Sequence, residues 1–202
     1  MGEILIILIG ILVGLPVPLV ATQLLFVNLL TDAFPAFALG MEGKEPGVMS
    51  RRPRNPKEAI INRKMMGSVI VRAVFLVVGA LAAFLYGLFI AVPPDSVPQD
   101  DTGQHLLAIS MCFFTLVASE LLIVYPSKFD TVSGLGRATF NNKFLNISML
   151  ASLLVLVAVM YVPFLGDLFS VIPLAADQLV ICLILILFSV GGFELSKLSS
   201  RK

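Results

Sequence analysis

Long runs of apolar residues alternate along this chain with short polar connections. A helix needs roughly 20 apolar residues to cross the hydrocarbon core of a bilayer. Five runs reach or approach that length, and a sixth, at the start of the chain, is shorter. The predicted spans are 3–15, 19–39, 66–92, 105–125, 145–162 and 179–193. The pattern predicts an all-α polytopic membrane protein, a six-helix transmembrane bundle with a truncated first helix, formed by a single domain over residues 1–202.

The composition agrees with a membrane protein. Of the 202 residues, 58% are hydrophobic and 13% are charged, whereas soluble domains carry about 25% charged residues. A cytosolic globule, a disordered tail and a nucleic-acid binder are therefore excluded. The two cysteines, Cys112 and Cys182, lie within apolar runs and have neither disulfide-framework nor metal-ligand spacing. The lipid bilayer is the first predicted partner of the chain.

The basic residues are segregated into alternate connections. Of the 14 Lys and Arg residues, all but Arg72 lie in the segments 40–64 and 126–143 or in the C-terminal tail. The positive-inside rule predicts that these segments and both termini lie in the cytoplasm, and that the chain is integral to a plasma or inner membrane. We expect Arg72 to snorkel from its span to the cytoplasmic surface and to act as an anchor.

Three acidic residues, Glu3, Asp32 and Glu120, lie inside predicted spans. A charged side chain there costs a few kcal/mol and usually marks a functional site. The three acids lie 12, 14 and 15 residues from the outer ends of their spans, which corresponds to about 18, 21 and 22 Å. The sequence thus predicts three carboxylates at one depth. Alternatively, Glu3 is only an acid at a helix N-terminus near the membrane surface.

Further polar residues accompany Asp32 in the second span. Asn28, Thr31 and Asp32 stand at positions i, i+3 and i+4, so an α-helix would place them on one face. Pro35 has no N–H to donate to the carbonyl of Thr31, which loosens the helix. Oxygen ligands of this kind suit a hard cation such as Ca²⁺, and the lack of His and Cys disfavours Zn²⁺ and Cu⁺. The alternative is that Asn28 and Thr31 form hydrogen bonds between helices.

Several stretches resemble one known family. Residues 23–40, QLLFVNLLTDAFPAFALG, resemble the sixth transmembrane helix of P-type cation-transporting ATPases of the calcium-pump branch. Residues 49–58, MSRRPRNPKE, are similar to the cytoplasmic loop that follows that helix. Gly2-Glu3, followed further along the chain by Gly14-Leu15-Pro16, resembles the latter part of the family's fifth helix. Ala118-Ser119-Glu120 resembles the family more loosely.

The resemblance implies the C-terminal membrane part of a calcium pump, roughly helices five to ten. It implies that Glu3, Asn28, Thr31, Asp32 and Glu120 are counterparts of side-chain ligands in two calcium sites. Asp32 would bridge both sites, with Glu3, Thr31 and Glu120 in one and Asn28 in the other. The implied partners are helices one to four and the actuator, phosphorylation and nucleotide-binding domains, in the same or a separate chain. Mg-ATP would bind only to the complete pump.

The 202 residues contain neither an Asp-Lys-Thr-Gly-Thr phosphorylation motif nor a glycine-rich phosphate cradle. We therefore expect no ATPase activity from this chain alone. An alternative function is a non-enzymatic membrane module, either a pump remnant with a binding or regulatory role or a passive cation pathway. All candidate ligand residues are present, which disfavours a pump remnant that has lost its cation site. The ligand types leave Ca²⁺, Mn²⁺ and Na⁺ open as the ion.

Overall fold

The structure, a computed structural model, describes residues 2–41, 63–94, 98–127 and 142–199. Within these ranges the chain is mostly helical and has no β-strand, so the predicted all-α class is confirmed. The helices are α1 (Gly2–Val13), α2 (Ala21–Val27), a π-helical segment (Asn28–Ala33), α3 (Phe34–Gly40), α4 (Arg63–Phe89), α5 (Asp101–Ser127), α6 (Lys143–Tyr161), α7 (Pro163–Phe169) and α8 (Ala176–Ser199).

Four of these helices, α4, α5, α6 and α8, are long and apolar enough to cross a membrane. Helix α1 is equally apolar but has only 12 residues. The predicted span 19–39 consists of three consecutive helical segments, α2, the π segment and α3. The predicted helical membrane bundle is thus confirmed as a class, and its division into six spans stays a prediction.

Helix α5 lies at the centre of the bundle. In the most apolar 18-residue stretch of α5, 89% of the residues are buried inside the bundle. The corresponding share is 33% for α4 and α6 and 28% for α8. Helix α4 runs antiparallel to α5, because late residues of one meet early residues of the other. At Gly87 the two backbones approach so closely that an added Cβ would lie 2.7 Å from the Cα atom of Ala108. Leu76, at the middle of α4, packs with Ile123 towards the end of α5, so the start of α4 and the end of α5 lie at the same end of the bundle. We call this end of the bundle the basic end, because the adjoining loops carry most of the basic residues.

The π segment interrupts the helix that carries most candidate ligands. Its hydrogen bonds span five residues, a local widening that often occurs at functional sites. Two side chains bond to carbonyl groups of the preceding turn: the Asn28 amide donates to the Leu24 oxygen at 3.0 Å, and the Thr31 hydroxyl donates to the Val27 oxygen at 2.9 Å. Pro35, which cannot donate a backbone N–H, follows directly at the start of α3. The loosening predicted from Pro35 therefore takes the form of a π-helix.

At the opposite end of the bundle, α2 contacts α7 through a hydrogen bond and an aromatic pair. The buried side chain of Gln23 donates a hydrogen bond to the carbonyl oxygen of Phe169 at 3.0 Å. The same side chain accepts a hydrogen bond from the backbone N–H of Val20. The Phe26 ring packs against the Phe169 ring, with 4.9 Å between their centroids. These contacts fix one end of the segment in which the candidate ligands lie.

Candidate cation site

Glu120 lies in the buried centre of the bundle, on α5. Its side chain is only 8% exposed, and its Oε2 atom has no hydrogen-bond partner among the residues that the structure describes. The first turn of α1 packs directly on this carboxylate: a Cβ added to Gly2 would lie 3.8 Å from Glu120 Oε1. Glu3, the next residue, is also buried, and its charge interacts with that of Glu120. The structure thus brings together two of the three acids that the depth estimate places at one level.

Thr31 adds a hydroxyl group from a third helix. Its side chain is buried and lies near enough to the Glu120 carboxyl group to interact with it. The hydroxyl proton itself points to the carbonyl of Val27, so the oxygen can present its other lone pair to a ligand. Ser119 Oγ, next to Glu120 on α5, is a further buried oxygen that forms no hydrogen bond within the described part of the chain. Buried polar atoms are normally paired with a protein group, a water molecule or an ion.

Asn28 differs from the residues of this cluster in its exposure. Its side chain is exposed and bonds to Leu24, whereas Thr31 is buried. The prediction that Asn28 and Thr31 share one helical face assumes the α-helical repeat, whereas these residues lie in a π-helix, so it stays a prediction. Asp32 belongs to the π segment by its backbone, and its side chain lies outside what the structure describes. The basic loop motif at 49–58 also falls outside the described residues.

Arg72 on α4 lies near the candidate site, which the sequence interpretation did not anticipate. Its side chain is half-buried, and its charge acts on the carboxyl group of Glu120. The sequence interpretation as a surface anchor rests on its distance from the start of the span alone. The sequence feature that could have indicated a position near the site is that Arg72 is the one Lys or Arg residue within a predicted span.

The chemistry of the cluster favours a hard cation. Carboxylate oxygens of Glu3 and Glu120 and the hydroxyl oxygen of Thr31 are the donor types that Ca²⁺ prefers. Cys112 and Cys182 are buried free thiols elsewhere in α5 and α8. Among the side chains that the structure describes, no three His, Cys, Asp or Glu residues group closely enough to hold a metal ion. A complete coordination shell therefore needs further oxygens besides the two glutamates.

Comparison with known proteins identifies the class to which this bundle belongs. Residues 16–199 match the family described as "Cation transporting ATPase, C-terminus". The chain belongs to this family, and so it is a C-terminal membrane region of the P-type cation-transporting ATPases, as the motifs indicate.

Individual relatives are calcium-transporting ATPases. The chain is 36% identical over 173 residues to the calcium-transporting ATPase of Bacillus subtilis, which covers 86% of the chain and 18% of that protein. It is 30% identical over 211 residues to calcium-transporting ATPase 1 of Bacillus cereus, covering 99% of the chain and 23% of the relative. It is also 30% identical to rat calcium-transporting ATPase type 2C member 2, over 83% of the chain and 17% of the relative. The chain thus spans about a fifth of the length of these relatives.

Proposed function

We propose that this chain supplies most of one Ca²⁺ site, and part of another, in the membrane region of an ATP-driven calcium pump. The meeting of Glu3, Thr31 and Glu120 from three separate helical segments carries this proposal. Family membership and the calcium-transporting relatives support Ca²⁺ as the ion. In this proposal the pump lies in a plasma or inner membrane with both ends of the chain in the cytoplasm.

Each candidate ligand has its own task in this proposal. Glu3, Thr31 and Glu120 bind the first Ca²⁺ with anionic and hydroxyl oxygens. Asp32 bridges to the second Ca²⁺, to which Asn28 contributes its amide oxygen. The exposed position of Asn28 is consistent with its assignment to the second site. Oxygens from elsewhere in a complete pump would finish both coordination shells, because Ca²⁺ takes six to eight of them.

The segmented helix suits a site that must open and close. Residues 28–33 form a π-helix between two short α-helices, so the backbone there has fewer α-helical bonds to break. Gln23 and Phe26 hold one end of this region against α7. In the proposed pump, phosphorylation in domains outside this chain moves the helices and separates the carboxylates. Ca²⁺ then loses ligands and leaves the site, because its affinity depends on the number of anionic oxygens.

Equilibrium binding of radioactive Ca²⁺ to the purified chain in lipid nanodiscs tests the proposal. We expect saturable binding to the wild-type chain and a loss of at least tenfold in affinity for Glu120→Gln, because one anionic ligand is removed. Glu194→Gln is the matched control, since Glu194 is also a buried carboxylate and lies on α8. Equal affinities for the wild type and Glu120→Gln would contradict the proposal.

A further inference from the structure

Arg72 is an exception among the basic residues of this chain. The other 13 lie in the connecting segments and the tail, whereas Arg72 lies inside a predicted span. A basic side chain within the bilayer is costly, and it usually faces the bundle interior, where it pairs with other charges. A simple anchor at the membrane surface would not need to approach any acidic group of the core.

The packing of α4 places Arg72 beside the candidate cation site. Leu76 lies one turn further along α4 on the same face, since residues four apart stack on an α-helix. The added Cβ of Gly2 would lie 4.0 Å from Leu76 Cβ and 3.8 Å from Glu120 Oε1. The face of α4 that carries Arg72 and Leu76 therefore borders the same point of α1 that Glu120 contacts.

The register of the two antiparallel helices relates the depths of Arg72 and Glu120. Gly87 lies opposite Ala108, and Leu76 packs with Ile123, so Arg72 lies level with about residues 123–127 of α5, and Glu120 lies about three to seven residues deeper in the bundle. At 1.5 Å per residue this offset is about 5–10 Å along the helix axes, a distance that a long arginine side chain can largely span. The charge of Arg72 attracts the carboxylate that the charge of Glu3 repels.

We propose that Arg72 is a built-in positive charge of the cation site that holds its Ca²⁺ affinity below the value the carboxylates alone would give. This inference rests on the proposed function. Without a bound cation, the guanidinium group offsets the mutual repulsion of Glu3 and Glu120. When Ca²⁺ enters, the same positive charge repels it, and this repulsion acts over several ångströms because the buried site screens charges poorly. Arg72 thereby favours release of the ion.

The test is equilibrium Ca²⁺ binding by the full 202-residue chain in lipid nanodiscs. We expect Arg72→Gln to lower the Kd for Ca²⁺ about tenfold, because the repulsive charge is removed. Arg72→Lys keeps the charge and should stay within about twofold of the wild-type Kd. Unchanged or weaker binding by Arg72→Gln, with a wild-type circular dichroism spectrum, would overturn the inference.

A second variant separates this role from anchoring, even if Arg72→Gln fails to fold. In the double variant Val69→Arg with Arg72→Val, the arginine moves to a lipid-exposed position nearer the basic end. The chain keeps its charge and its anchor, and we expect the Kd to fall as in Arg72→Gln. A wild-type Kd in this variant would contradict the inference. If Glu120→Gln abolishes binding while both arginine changes leave it unaltered, only the role of Arg72 is refuted. Absence of binding to the wild-type chain overturns the proposed function as well.

Discussion

Gly2 on α1 packs on the carboxylate of Glu120 on α5: a Cβ added to Gly2 would lie 3.8 Å from Glu120 Oε1. This contact sets the position of the first turn of α1, and with it the position of Glu3, relative to the central helix. A methyl group fits at this distance in ordinary van der Waals contact. A longer side chain would have to displace Glu120 or Leu76.

The effect of side-chain size at Gly2 is the first prediction. We expect Gly2→Ala to bind Ca²⁺ with an affinity within about twofold of the wild type. Gly2→Leu should weaken binding at least fivefold, because its branched side chain separates Glu3 from Glu120. Isothermal titration calorimetry on the chain in nanodiscs measures both. Equal affinities for the two variants would show that α1 and α5 do not share a site.

Thr31 tests whether its hydroxyl is a ligand or only a hydrogen-bond donor to Val27. Thr31→Val removes the oxygen, and Thr31→Ser retains it. We expect Thr31→Val to weaken Ca²⁺ binding about tenfold, equivalent to about 1.4 kcal/mol, and Thr31→Ser to bind nearly as well as the wild type. Identical Ca²⁺ titrations for the two variants would exclude Thr31 from the ligand set.

The sequence predicts those parts of the fold that depend on length, hydropathy and depth. Apolar runs mark α4, α5, α6 and α8, because a helix in lipid must satisfy its backbone internally and expose apolar side chains. The convergence of Glu3 and Glu120 follows from counting residues from the outer ends of their spans. Both properties depend on position along the membrane normal, which a linear sequence records directly.

The rotation of a helix about its own axis, which decides the face it turns to its neighbours, cannot be obtained by counting residues along the sequence. Helix α4 is apolar on most of its surface, so its sequence does not indicate which of its faces packs against α1 and α5 and which faces outward. The different exposures of Asn28 and Thr31 lie within a π-helix, whose repeat an α-helical reading of the sequence does not reproduce. The side-chain arrangement of the site therefore required the structure.

Close packing of α4 on α5 gives a prediction about stability. An added Cβ at Gly87 would lie 2.7 Å from Ala108 Cα, whereas at Gly67, also on α4, it meets no atom of the described residues within 4 Å. We expect Gly87→Ala to lower the free energy of unfolding by about 1–3 kcal/mol through overpacking. Gly67→Ala should raise it by up to about 1 kcal/mol, since Ala favours helix. Chemical unfolding in detergent micelles measures the two changes, and an equal effect at both positions would contradict the α4–α5 packing.

The fastening of α2 to α7 gives a second prediction about stability. Gln23→Leu leaves the Phe169 carbonyl and the Val20 N–H without their partner. We expect a loss of about 2 kcal/mol in the free energy of unfolding, the usual cost of unpaired buried polar groups. Thr22→Ala, at the exposed neighbouring position, serves as the control and should change stability by less than about 0.5 kcal/mol. A Gln23→Leu variant as stable as this control would show that the hydrogen bonds do not hold α2.

The central claim, that this chain carries the cation ligands of a calcium pump, is tested most directly in a chimaera. Residues 1–202 replace the matching segment of calcium-transporting ATPase 1 of Bacillus cereus, to which the chain aligns over 99% of its length. Ca²⁺-dependent phosphorylation by ATP is then measured for the wild-type segment, for Asp32→Asn and for Asp177→Asn. Asp177, in the first turn of α8, is the control. We predict phosphorylation with the wild type and Asp177→Asn and none with Asp32→Asn; wild-type phosphorylation of Asp32→Asn would contradict the claim.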